Sequence, residues 1–200
     1  MSLLEFDFSG AVREYTEQAQ PPKPYSAEEY FSLLLKKGTE TRINGNYGIA
    51  AAYILRIGGY ELIFFGQNNV ITENNPHGHA EMDAVQQARK LFNCKTHDET
   101  TPVTSELIES GRFLVRRAPH DQIETLIYTT LEPCPMCTVG SVINTKLSKV
   151  VMATPDKKAG QMLEGRLQAL AELWPQIAAN QGLQITVCQT EDPTKTDSYL

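Results

Sequence analysis

Two short runs, His79-Ala80-Glu81 and Pro133-Cys134-Pro135-Met136-Cys137, constrain this chain more than anything else in it, and His79 and Cys134 lie 55 positions apart. Each run opens a stretch with helical character. Met82, Val85, Ala88 and Leu91 recur at helical spacing after His79, following the helix-poor Asn74-Asn75-Pro76-His77-Gly78. Cys134 to Thr145 can form a helix with Pro135 at its first position, where a missing N–H costs nothing. Cys134 and Cys137, at i and i+3, share one helical face, and a helix N-terminus favours thiolate over thiol. One imidazole and two thiolates are the three protein ligands of a catalytic zinc whose fourth position is open to water. A fold that uses them together must bring two helix starts to one place.

The remaining elements suggest how. Ser26 with Glu29 is a capping-box pattern, and a helix over 27–37 would bury Tyr30, Leu33 and Leu34. Tyr47 to Arg56 reads as an apolar strand, Gly58-Gly59 as a tight turn and Glu61 to Phe65 as the returning strand of a hairpin. Further strands are expected over 123–130, 149–153 and 184–188, and Leu163, Leu167, Leu170, Trp174 and Ile177 mark one face of a helix between the last two. Strands joined through a helix pair in parallel, and the right-handed crossover puts helices on the sheet faces. The expectation is an α/β fold, a three-layer α/β/α arrangement around a mixed sheet of about five strands. The polar stretch 93–121 contains one short apolar piece, Phe113 to Val115, and reads as a functional loop.

At 200 residues and 41% hydrophobic content the chain can bury one full core, so a single domain over 26–200 is expected behind an N-terminal extension, 1–25, that ends in Pro21-Pro22-Lys23-Pro24. No apolar run is long enough to cross a bilayer and the N-terminus has no basic, apolar signal pattern, so a cytoplasmic protein without a membrane partner is expected. In that setting a Cys-x-x-Cys favours metal over a structural disulfide, with a redox pair as the weaker rival. A formal net charge of -6 gives no general attraction for a polyanion.

Glu81, two residues past His79, stands close to such a metal yet free to carry protons for an attacking water. The combination of His-x-Glu with Pro-Cys-x-x-Cys resembles the signature of zinc deaminases. In particular, His79-Ala80-Glu81-Met82-Asp83-Ala84 and Thr130 to Cys137 resemble the branch of the cytidine deaminase-like superfamily that holds tRNA adenosine deaminases, guanine deaminases and fungal-type cytosine deaminases. The resemblance covers about Tyr47 to Cys188. It implies zinc held by His79, Cys134 and Cys137, with Glu81 as general acid and base. Gly66-Gln67-Asn68 resembles that branch's Gly-x-Asn, which implies that Asn68 hydrogen-bonds the substrate ring with the backbone N–H groups of Ala80 and Cys134 nearby. It also implies a homodimer. The chain ends about a dozen residues after the last expected strand, so the final helix that helps form the RNA-facing surface of the tRNA enzymes is not expected here.

The reading is therefore a hydrolytic deaminase of a nucleobase or related small amino-heterocycle, with nucleic acid disfavoured as a partner. A tRNA adenosine deaminase and a non-catalytic zinc module are its rivals. A closed structural zinc site would need a fourth ligand from His77, His97, His120, Cys94 or Cys188, and it would have no use for Glu81. Cys94 and Cys188 read as small buried residues and His77 as a loop residue near the site. Asn68 by itself would be a turn residue, Arg116-Arg117 and Lys157-Lys158 solvated surface, and Trp174 core or a subunit contact.

Overall fold

The computed structural model describes residues 25–93, 103, 105–117, 123–143, 145, 147–160, 162, 176, 179–180 and 182–187. The N-terminal extension up to residue 24, Cys94, His97, His120, Trp174, Cys188 and most of the helix expected over 163–177 lie outside them.

Ser26 caps the first helix, α1 (Ala27–Ile43): its Oγ accepts from the Glu29 N–H while Glu29 Oε2 accepts from the Ser26 N–H. The helix runs past the expected end at Lys37 because Gly38 does not break it. A Cβ at Gly38 would stand 2.7 Å from the Gly48 carbonyl oxygen, so the bare residue serves a close approach between α1 and the segment entering the sheet. Strands β1 (Ala50–Ile57) and β2 (Tyr60–Gln67) form the expected hairpin, pairing from Ala50 with Gln67 to Ile57 with Tyr60, and Gly58 and Gly59 supply the positive φ of its turn. Helix α2 (Ala80–Phe92) follows.

The apolar piece in the polar stretch is a strand, β3 (Phe113–Arg117), antiparallel to β2. Among the described residues the sheet therefore has six strands, one more than the about five expected, in the mixed arrangement the sequence implies. Only Phe113 in β3 is buried, as suits an edge strand that packs one side chain and leaves the others half in water, which is why it looked like loop. β4 (Glu124–Leu131) lies antiparallel to β1, and a short helix, α3 (Pro135–Cys137), widens into π-helical turns over Thr138–Ile143 before β5 (Lys149–Thr154). β5 is parallel to β4 and to β6 (Gln184–Val187), giving the order β3-β2-β1-β4-β5-β6. Parallel pairing of β4 and β5 through α3 is the crossover that the sequence pattern implies.

Each face of the sheet has its own core. Tyr30, Phe31 and Leu34 of α1 pack on Ala50, Ala52, Ile54, Ile63, Phe65, Leu126 and Tyr128, with Tyr30 stacked on Tyr128 at a centroid distance of 4.3 Å. On the opposite face Ala80, Ala84, Val85, Ala88 and Leu91 of α2 pack on Ala51, Tyr53, Leu62, Phe64 and Ile127. Alternate residues of the hairpin thus serve the two layers, as the pleat requires.

Arg116 corrects the surface reading of Arg116-Arg117. Its Nε donates to Glu61 Oε1 at 2.6 Å, its guanidinium lies over the Tyr25 ring, and Arg56 Nε donates to Glu61 Oε2 at 2.8 Å. Burial alone would push the Glu61 carboxyl up, but hydrogen bonds from Tyr30, Arg56 and Arg116 outweigh it and hold the group below its ordinary value. Arg117 is exposed, as are Lys157 and Lys158.

Candidate zinc and catalytic centre

The two motifs meet at one end of the sheet because each follows a strand whose exit points there. β2 ends at Gln67 and leads through the 68–78 loop into α2, while β4 ends at Leu131 and leads into α3. His79 is the N-cap residue of α2 and Cys134 that of α3, both with extended backbone. Neither side chain caps its own helix, so the imidazole and the thiol are free to turn toward each other.

His79 Nδ1 lies 3.5 Å from Cys134 Sγ and 3.5 Å from Cys137 Sγ, and the three ligand atoms all lie within 4.8 Å of one another. Tetrahedral zinc with Zn–S bonds of about 2.3 Å and a Zn–N bond of about 2.0 Å requires N···S separations of about 3.5 to 3.6 Å. The donor set and its spacing fit the metal. Among the described residues this is the one His/Cys/Asp/Glu group so arranged. His77, a conceivable fourth ligand, is exposed and places Nδ1 3.1 Å from Met136 Sδ.

Hydrogen bonding to Cys137 and then to His79 outweighs burial at Cys134 and lowers its thiol to about 4. Cys137, beside that thiolate, buried and next to Glu81, is pushed up, and its Sγ lies 3.3 Å from Glu81 Oε2. The hydrogen bond to Cys134 raises the His79 imidazole. Glu81 is 3% exposed, and burial raises its carboxyl above the ordinary range. Its other oxygen, Oε1, accepts from Thr129 Oγ1 at 2.9 Å.

Asn68 follows β2 and is 2% exposed, its Oδ1 accepting from the Val70 N–H at 3.3 Å in the local turn expected of an Asn there. Its backbone N–H donates to the Ile49 carbonyl at 3.1 Å, tying it to the strand entering β1.

Sequence reasoning missed the residues that hold the motifs in place. Thr129 reads as one more buried strand residue, and only β4 passing beneath α2 brings it to Glu81. Glu132 is buried with Oε2 accepting from the Asp156 N–H at 3.0 Å, and a Cβ at Gly160 would meet that oxygen at 2.3 Å, so the loop after β5 is clasped against the second motif. No sequence pattern announces such a clasp.

A mixed sheet with helices on both faces and a His/Cys/Cys cluster beside a buried glutamate at two helix starts defines a zinc deaminase-like fold and site. The family described as "Cytidine and deoxycytidylate deaminase zinc-binding region" matches residues 24–154, and the chain belongs to it. The chain is 31% identical over 101 residues to guanine deaminase of Bacillus subtilis (strain 168), covering 50% of this chain and 46% of that protein. It is 29% identical over 133 residues to the tRNA-specific adenosine deaminase of the same organism, covering 66% of this chain and 65% of that one. The match thus spans about half the length of the first relative and just under two thirds of the second. A solved structure described as guanine deaminase from Nitrosomonas europaea superposes with a TM-score of 0.57 at 19% identity over 90% of this chain and 87% of that one. One from a study of tRNA:A34 deaminases gives a TM-score of 0.54 at 16% identity over 86% and 99%. These likenesses establish the fold. No helix among the described residues is long and apolar enough to cross a membrane.

Proposed function

We propose that this chain is a hydrolytic deaminase of a nucleobase or related small amino-heterocycle, with zinc held by His79, Cys134 and Cys137. The observation that carries the reading is Glu81: a buried carboxyl of raised proton affinity, oriented by Thr129, beside a three-ligand group of tetrahedral spacing. A structural zinc knuckle gives such a group no purpose.

When bound, zinc supplies Lewis acidity that makes water acidic near neutral pH. Glu81 takes a proton from the attacking water and delivers it to the ring nitrogen next to the amino-bearing carbon. It then passes the second water proton to the departing amine. Water and the amino-heterocycle become the oxo-heterocycle and ammonia. Burial suits Glu81 to this work, because a carboxyl whose proton affinity is raised holds the proton more readily between taking it from water and giving it up. Asn68 orients the ring, with the backbone N–H groups of Ala80 and Cys134 at its edge. The reading includes a homodimeric, cytoplasmic enzyme, which sedimentation and cell fractionation check.

A small base is favoured over tRNA by the net charge of -6, and guanine is the first substrate to try given the guanine deaminase relative. The test is ammonia release from a panel of guanine, cytosine, adenine, a pterin and an aminotriazine, with a tRNA anticodon stem-loop as the competing substrate. Small bases should be turned over with little sensitivity to salt. A protein contacting around six phosphates should lose about a thousandfold in affinity between 50 and 200 mM salt. Deamination of the stem-loop with that slope, and no ammonia from the panel, would replace the small-base reading by the tRNA one.

A further inference from the structure

We infer that Asp83, backed by Arg112, is a positioning residue that sets the placement of Asn68 relative to Glu81. The inference rests on the proposed role of Asn68 as the ring-binding amide. Asp83 lies in the first turn of α2, where its N–H donates to the His79 carbonyl at 2.9 Å. Its carboxylate turns to the sheet, and Oδ2 accepts from the backbone N–H of Gln67 at 2.9 Å. Gln67 is the last residue of β2 and the neighbour of Asn68. One side chain therefore joins the helix start that carries His79 and Glu81 to the strand end that carries Asn68.

The joint is built to be rigid. Gly66 lies flat against the same helical turn, and a Cβ there would stand 2.0 Å from the Ala80 carbonyl oxygen and 2.3 Å from the Ala84 nitrogen. Asp83 is buried, and its charge is answered on both sides. Gln87 Nε2 donates to Oδ1 at 2.6 Å, while Arg112 Nη1, from the turn before β3, is hydrogen-bonded and ion-paired to Oδ2. Arg112 also reaches the Phe65 carbonyl at 3.4 Å. The edge strand missed in the sequence thus has a purpose, since the turn leading into it delivers the cation that pairs with this carboxylate beneath the site. If Asn68 grips the ring and Glu81 moves its protons, the Asp83 to Gln67 hydrogen bond fixes the distance between the two actions, and shifts of about 1 Å in such geometry cost on the order of a hundredfold.

The experiment is a double-mutant cycle on the zinc-loaded full chain, with guanine or whichever panel base releases ammonia as substrate. Asp83→Leu with Arg112→Leu removes the acceptor together with its cation, which avoids leaving an unpaired charge. The expected result is a melting temperature close to that of the parent, one zinc per chain, and a KM raised about tenfold with a smaller change in kcat. In the Asn68→Ala background the same pair should change KM less than twofold, because the residue it positions is gone. Asp83→Asn, which keeps an acceptor for the Gln67 N–H, should restore KM to within about threefold. If the Leu pair does not fold, Asp83→Glu keeps the charge for Arg112, moves the acceptor by one methylene, and should show the same dependence on Asn68. An unchanged KM in a folded variant, or an equal rise with and without Asn68, overturns the inference. Asn68→Ala without effect by itself would instead overturn the ring-binding role.

Discussion

Replacing Gly66 by Ala tests the contact on which the site geometry rests. The added Cβ would stand 2.0 Å from the Ala80 carbonyl oxygen, 2.3 Å from the Ala84 nitrogen and 2.9 Å from its Cα. All three are backbone atoms of α2, so no side-chain rotation relieves them. Reaching even the shortest separation that packed interiors tolerate requires the strand and helix to part by about 1 Å. Overpacking of this kind costs about 1 to 3 kcal/mol, which in a chain of this size lowers the melting temperature by roughly 2 to 12 °C. The displacement falls between Gly66 and the first turn of α2, which separates Asn68 from Glu81, and the clashing atoms belong to none of His79, Cys134 and Cys137. Activity should therefore fall on the order of a hundredfold. Zinc content, measured by atomic absorption, should stay near one per chain. Gly48→Ala is the control, since its Cβ would meet nothing nearer than 3.4 Å and its φ is not in the positive range. A Gly66→Ala protein with parental melting temperature and parental kcat/KM would refute the reasoning.

Three further substitutions follow from the same geometry. Glu81→Gln should keep its fold and zinc while losing about 100- to 10,000-fold in kcat, the range for removing a general acid or base, and near-normal turnover would assign the proton transfer to another group. Cys134→Ala and Cys137→Ala should each lose most of the zinc and unfold at lower temperature, whereas Cys94→Ala and Cys188→Ala should keep the metal, as metal analysis beside thermal melts will show. Glu61→Gln should destabilise the fold by about 1 to 3 kcal/mol at pH 7, because it removes the carboxylate shared by Arg56 and Arg116, while Arg56 keeps its ion pair with Glu124. The Glu61 carboxyl is depressed in the folded state, so its contribution is fully present above the ordinary carboxylate pKa and is lost as pH falls through the depressed value. Denaturant melts of parent and variant should accordingly converge toward acid pH, and a gap that widens there would contradict the ion-pair account.

The sequence by itself carried the two motifs on which the proposed chemistry rests. His79 with Glu81 and Cys134 with Cys137 lie within two short motifs, where the i to i+3 spacing of the cysteines gives them one helical face and the i to i+2 spacing keeps Glu81 close to His79 along the chain. Hairpin, capping box and crossover were legible for the same reason, since each is written in residues close along the chain. The tertiary structure decided everything that depends on partners distant along it. β3, with only three apolar residues in a row, is too short to show a strand period, and it becomes a strand because β2 presents an edge on which it pairs. Gly38 looks like a helix end until Gly48 needs its missing side chain. Arg116 looks like solvated surface until Glu61, 55 residues away, requires a cation. Thr129 reaches Glu81 across 48 residues and Arg112 reaches Asp83 across 29. Such contacts have no sequence period, because what selects them is the burial of a charge or a backbone group that only the closed fold removes from water.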